Sequence, residues 1–110
     1  GINMKIKAKM KGDIVKVKVL AKHDMTTYDQ AANKKDANGV VIGNRENANF
    51  ITRMTASVNG KLVYEVSTSQ FLSKNPILKF QFKGAAKGDR IEMTWIDRKG
   101  NTKTDVSKIK

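Results

Sequence analysis

Apolar and polar residues alternate with period two along most of the chain. Glycine-bearing turns interrupt the alternation at Gly12, Gly39, Gly60, Gly88 and Gly100, and no apolar stripe recurs at helical spacing. These observations predict an all-β fold, an immunoglobulin-like antiparallel β-sandwich of about seven strands. The 110 residues suffice for one domain, placed at residues 4–110. Such a chain buries roughly 65% of its unfolded surface and is too short for two cores. Gly1-Ile2-Asn3 reads as an addition upstream of a natural start at Met4.

The first strand sets Met4, Ile6, Ala8 and Met10 against Lys5, Lys7, Lys9 and Lys11, one oily face and one cationic. Lys11-Gly12-Asp13 supplies a turn, and the return strand sets Val15, Val17, Val19 and Ala21 against Lys16, Lys18 and Lys22. Protection of a sheet edge is a sufficient reading of those lysines. Residues 23–49 are the least regular part, and a connection of that length is usually functional or mobile. Asn38-Gly39 before Val40-Val41-Ile42 signals a type I′ hairpin. A helical turn around Tyr28 to Lys35 is the alternative, and the sequence leaves the two open.

Alternation resumes at Phe50, with Met54, Ala56 and Val58 turned to the core, Asn59-Gly60 as a tight turn, and Leu62, Tyr64 and Val66 in the return strand. A stretch from Phe71 to Asp97 follows, with the one proline in the corner Ser73-Lys74-Asn75-Pro76 and the one tryptophan, Trp95. Leu78, Phe80 and Phe82 alternate before Lys87-Gly88-Asp89, and Ile91, Met93 and Trp95 after it. The pattern predicts a central hairpin with Trp95 as a core anchor. Arg98-Lys99-Gly100-Asn101 then reverses the chain into a polar last strand, Thr102 to Ile109. Glycine recurs in these reversals because it reaches positive φ without strain.

The balance of 22 Lys+Arg against 10 Asp+Glu gives a net charge of +12, which favours anionic or acidic partners. Cysteine is absent, which excludes a disulfide, a thiolate nucleophile and a cysteine metal site. No window is apolar enough for a membrane span or a signal-peptide core, so no membrane partner is expected. Walker-type phosphate loops and the Gly-x-Ser-x-Gly elbow are missing. A triad would need the one histidine, His23, with Asp24, but neighbours on an extended chain point to opposite faces. His23 and Met25 would suit a cuprous ion, yet two ligands do not make a site, so they read as structural and no metal or cofactor is expected. Nucleic-acid readers interleave aromatic rings with their cations, and the outward positions of the first hairpin hold none. Specific nucleic-acid binding is therefore not expected; a basic β-domain binding nucleic acid or another polyanion remains the alternative function. Leu20, Ile51, Val63 and Ile96 are apolar where the alternation points outward, and they are the candidate partner-binding residues.

Several short pieces, in order and spacing, carry a resemblance. They are Ile6-Lys7-Ala8-Lys9 with Lys11-Gly12-Asp13, Val17 to Val19 running to His23-Asp24-Met25, Phe50-Ile51, and Asn59-Gly60-Lys61. More telling are Ser73-Lys74-Asn75-Pro76, Phe80-x-Phe82-Lys83-Gly84, Lys87-Gly88-Asp89, and Thr94-Trp95-Ile96-Asp97 with Gly100. Over nearly its whole length the chain resembles the SoxZ family, the smaller subunit of the SoxYZ carrier of bacterial sulfur oxidation. Asp24 stands where the family usually has proline, and residues 28–49 match poorly. The resemblance implies an immunoglobulin-like sandwich and a noncatalytic subunit that pairs with SoxY, whose flexible arm ends in a cysteine carrying thiosulfate-derived sulfur. It further implies transient contact with the enzymes that act on that arm, and a periplasmic location reached by export with a signal-bearing SoxY.

Overall fold

Period-two alternation becomes a sheet only where each strand finds a neighbour, and the neighbours here divide the chain into two layers. A computed structural model describes residues 3–67 and 73–110. Gly1 and Ile2, and Phe71 and Leu72 at the start of the aromatic-rich stretch, lie outside the described residues.

Among the described residues seven antiparallel strands form two sheets. β1 (Met4–Lys11), β2 (Ile14–Ala21) and β5 (Ile77–Lys83) make one, in the order β1-β2-β5. β3 (Ile51–Val58), β4 (Lys61–Val66), β6 (Arg90–Asp97) and β7 (Thr102–Lys108) make the other, in the order β4-β3-β6-β7. This is the sandwich that the alternation predicts. Met4, Val15 and Val19 from one layer and Ile51, Met54, Ile91 and Met93 from the other are fully buried between the sheets. Burying each such side chain contributes about 1.5–3 kcal/mol. Trp95, 4% exposed, anchors the core as expected.

The predicted central hairpin is not formed. β5 pairs with β2, setting Phe82 opposite Val15 and Phe80 opposite Val17, while β6 pairs with β3 and β7 in the facing sheet. The segment between them, beginning at Gly84 with φ +98°, crosses from one layer to the other. Both strands turn alternate residues to the same core, so alternation reports the face of a strand and not its neighbour. Phe80 instead stacks on Tyr64 of β4, with ring centroids 4.0 Å apart and planes 2° from parallel, closing one side of the sandwich. The other side is closed by the chain end. The Asp105 carboxylate accepts from the Asn3 and Met4 amides, and Met10 N–H donates to the Lys110 carbonyl.

The turn chemistry divides into two kinds. Asn59 (φ 53°) and Gly60 (φ 75°) both sit in the left-handed region, as a type I′ hairpin requires. Asn38 does not, so Asp36–Gly39 is a different turn in which only Gly39 (φ 80°) is left-handed and its amide donates to the Asp36 carbonyl. In the 23–49 connection both sequence alternatives occur, one after the other. Thr27 and Gln30 form a capping box on a short helix, α1 (Tyr28–Ala32). A small excursion follows, in which Lys35 bridges Val41. Gly43 lets the excursion return against α1, because a Cβ there would fall 2.1 Å from the Ala31 carbonyl oxygen.

Candidate functional site

Where β2 ends, His23 turns inward and meets a carboxylate far along the chain. His23 Nε2 lies 3.0 Å from Asp97 Oδ2, and His23 Nδ1 accepts from the Met25 amide at 3.0 Å. That acceptor role places the ring proton on Nε2, so the imidazole donates to Asp97. Asn49 Nδ2 (2.9 Å) and Asn101 Nδ2 (3.0 Å) donate to the same Asp97 oxygen, and the Asn101 amide donates to the other at 2.8 Å. Burial disfavours the charged carboxylate, but the hydrogen bonds from His23, Asn101 and Asn49 outweigh it and bring the pKa from 3.8 down to about 2. The His23 ring meets Trp95 edge-on at 4.9 Å.

Three loops are tied together by this network. Asn75, left-handed at φ 50°, donates its amide to the His23 carbonyl and accepts the His23 amide on its side chain. Met25 is also left-handed (φ 54°), and its sulfur accepts from the Ile51 amide at 3.2 Å. Above the network lies a shallow polar depression of about 520 Å³, lined by Lys22, Asp24, Asn47, Asn75 and Lys99 among others. Both ring nitrogens of His23 and the sulfur of Met25 are thus engaged within the chain. Asp24 points away and lies 3.4 Å from Lys74 in an exposed ion pair. The sequence reading missed Asp97 because it sought the partner of His23 nearby. The signal was there: Asp97 falls on the inward phase of Ile91, Met93 and Trp95, a charge on the apolar face of a strand.

The four apolar candidates do not form one patch. Ile51 is fully buried, because a bulge between Ile51 and Arg53 inserts a residue and turns both Ile51 and Met54 inward. Val63 sits at a second irregularity, where Tyr64 pairs with Ala56 but Leu62 with Ser57, and it packs against the core. Leu62 takes the outward place and is 54% exposed. Leu20 lies half-buried on the outer face of the three-stranded sheet, and Ile96 is exposed on the outer face of the four-stranded sheet, so the two are on opposite sides of the molecule.

Those outer faces differ in chemistry. On the three-stranded sheet the register sets Lys5, Leu20 and Ile77 in one row, and Lys7, Lys18 and Lys79 in the next. Lys9, Lys16 and Gln81 form the third row, and Lys11, Ile14 and Lys83 the fourth. Eight of these twelve positions are lysine. Among the described residues, the one carboxylate within ion-pair distance of the eight is Asp13, 3.6 Å from Lys83 in the end row. On the four-stranded sheet the rows hold Thr55, Thr94 and Thr104, with Thr94 and Thr104 hydroxyls 2.8 Å apart, and Arg53 pairs with Glu65 at 2.8 Å. Leu62, Ile96 and Val106 are its exposed aliphatics. One face is strongly cationic and the other is close to neutral.

Against known proteins, the family described as "Sulphur oxidation protein SoxZ" matches residues 4–108. No curated protein matches the chain at a significant level. Among solved structures the chain is similar to the hypothetical protein PH1083 from Pyrococcus horikoshii OT3. That structure is 17% identical, with a TM-score of 0.64, over 97% of this chain and 87% of that one. A superoxide reductase in the oxidised state is similar at 16% identity and a TM-score of 0.65, over 97% and 86% of the two chains. A superoxide reductase (neelaredoxin) from Ignicoccus hospitalis follows at 16% identity and a TM-score of 0.60, over 98% and 78%. At these identities the likeness to the solved structures is one of fold alone.

Proposed function

This chain belongs to the SoxZ family of sulphur oxidation proteins, and from that premise we propose that it is a noncatalytic subunit that pairs with a SoxY-type carrier. The carrier's cysteine-tipped arm holds the sulfur intermediates, and this chain scaffolds the arm for the enzymes that act on it. The observation that carries the reading is the match over residues 4–108. A scaffold role accords with a chain that has no cysteine and whose one histidine spends both ring nitrogens on Asp97 and the Met25 amide.

The stable partner covers the outer face of the four-stranded sheet. Interface cores are depleted in charge, and of the two outer faces this is the one whose charges nearly cancel, Arg53, Arg90 and Lys108 against Glu65 and Glu92, and which carries threonine methyl groups and the exposed Leu62, Ile96 and Val106. Mixing the chain with a SoxY-type protein and measuring size and affinity tests both levels of the proposal. A complex stable at micromolar concentration is expected, and its absence refutes the carrier role. Leu62→Asp and Ile96→Asp are expected to weaken pairing at least about tenfold, since a charge must then be desolvated in the contact, while far-ultraviolet dichroism stays that of the parent. Unchanged pairing in both removes the face without removing the partner. On the same reading the pair is exported folded to the periplasm on the carrier's signal. Recovery of the chain from the cytoplasm alone, with the carrier in the periplasm, would refute that location.

A further inference from the structure

The lysine face of the three-stranded sheet is a surface in its own right, and edge protection accounts for only part of it, the lysines of the edge strands β1 and β5. Edge strands use lysine to block pairing, but Lys16 and Lys18 lie on β2, which has β1 on one side and β5 on the other. Nor does solubility explain it, since a soluble surface is served by interspersed charges of both signs. The central row Lys7, Lys18 and Lys79 sets like charges directly opposite one another across three strands about 5 Å apart. Such neighbours repel and weaken the sheet, so the row opposes folding unless something outside the chain answers it.

We propose that this face is the docking surface for an acidic protein that binds transiently, separate from the surface used for the stable carrier pairing. Charge complementarity names the occupant's sign, and two observations name its class. No aromatic residue occupies any of the twelve outward positions, so the face has nothing on which a nucleic-acid base could stack. The end row brings Leu20 beside Ile77, which is 55% exposed, so an aliphatic pair borders the lysines as at a protein contact. Lysine is depleted in permanent interfaces, while rows of it steer encounter and accelerate association. The acidic-protein assignment stands on this chain's geometry; only its separation from the carrier's surface rests on the carrier reading.

The test compares two triple variants of equal net charge. Lys7→Glu with Lys18→Glu and Lys79→Glu reverses the central row; Lys35→Glu with Lys61→Glu and Lys103→Glu reverses three exposed lysines elsewhere. A glutamate homopolymer is the acidic probe, and a thymidine oligonucleotide of matched charge is its competitor, each at low and near-physiological salt. The row variant is expected to lose at least about tenfold in affinity for the glutamate polymer and the control less than about threefold, with binding weakening as salt rises. Equal losses would mean that net charge alone attracts the probe, and would overturn the proposal. An oligonucleotide that binds more tightly than the polymer, through the same row, would overturn the protein assignment. If the reversed row does not fold, the milder pair Lys16→Gln with Lys18→Gln, set against Lys35→Gln with Lys61→Gln, gives the same equal-charge comparison with a smaller loss. Pairing of the row variant with a SoxY-type protein is expected to match the parent's; loss of that pairing would make the lysine face the permanent interface and refute a separate transient site. Failure of the parent to pair at all refutes the carrier reading and leaves the glutamate experiment intact.

Discussion

Replacing Asp97 by asparagine tests whether the buried carboxylate holds the loops at one end of the sandwich. Three side-chain donors, His23 Nε2, Asn49 Nδ2 and Asn101 Nδ2, converge on Oδ2, and the Asn101 amide takes Oδ1. An amide has one acceptor oxygen, so Asp97→Asn must turn an NH2 group toward either the three side-chain donors or the backbone amide. The drop in pKa from 3.8 to about 2 gives the scale of the loss. A difference of that size corresponds to about 2.4 kcal/mol of stability at neutral pH. Its sign follows from the direction of the shift. The folded carboxyl releases its proton at lower pH than the unfolded one, so the stabilisation is complete above the unfolded value and is lost as pH falls toward the folded value. About 1 kcal/mol of it is gone near pH 3, and about 2 kcal/mol near pH 2. Urea unfolding suits the assay, because an uncharged denaturant leaves the field of a +12 chain unscreened. The parent is expected to exceed the variant by about 2–3 kcal/mol near pH 7, and by about 1 kcal/mol less than that near pH 3. A gap that does not narrow with acid would mean that the carboxylate is not held ionised by these partners.

Trp95→Ala is expected to cost about 3–5 kcal/mol, since the ring is 4% exposed and packs edge-on to His23. Trp95→Phe is expected to cost about 1 kcal/mol or less, because the indole N–H is buried without an acceptor among the described residues and its removal offsets part of the lost contact. Urea midpoints of the two variants check this, and equal losses would refute the role of the unpaired N–H. Gly43→Ala is expected to loosen the Val40 to Ile42 excursion by about 1–3 kcal/mol, because its Cβ would meet the carbonyl oxygens of Ala31 and Ala32. Hydrogen exchange should quicken at the Ile42 amide, which donates to Lys34, and stay as in the parent across β3 and β6; unchanged exchange at Ile42 would refute the close approach.

What was legible in the sequence follows from what local patterns encode. The hairpins β1–β2 and β3–β4 were legible, because a two-residue turn leaves the next strand no neighbour but the last. The β5–β6 hairpin was misread, because the segment between them is long enough to change sheets and both strands show the same alternation whichever sheet they join. Ile51 and Val63 were misplaced by single-residue irregularities, which reverse the phase of every side chain beyond them and leave no mark in composition. The lysine rows were half visible. Each strand's outward lysines could be counted, but not that Lys18 would stand between Lys7 and Lys79, since that depends on β5 joining β2. The His23 to Asp97 contact spans 74 positions, and only the wrong polarity of Asp97 on its strand hinted at it.

The two faces give a physical reason for a small domain to tolerate an unfavourable charge pattern. Each pair of lysines set directly opposite costs roughly 0.2–1 kcal/mol, and the second and third rows contain three such pairs. The ten carboxylates could have been interspersed there, yet among the described residues only Asp13 comes within ion-pair distance of those lysines, at one end of the face. On the opposite side of the sandwich the charges nearly cancel, Arg53, Arg90 and Lys108 against Glu65 and Glu92, so a partner meets far less electrostatic repulsion there than on the lysine face. On the function proposed above, the subunit keeps one partner while others arrive and leave, and so needs surfaces that do not compete. The sandwich supplies them back to back, on sheets about 10 Å apart, with a core between them that binding on either side need not disturb. Neutral contact favours a long-lived complex on one face, and a lysine field favours fast, salt-sensitive encounter on the other. That division requires the cationic rows to lie on the sheet that contains β2 and not be shared between the sheets, and the β2–β5 pairing is what brings them together.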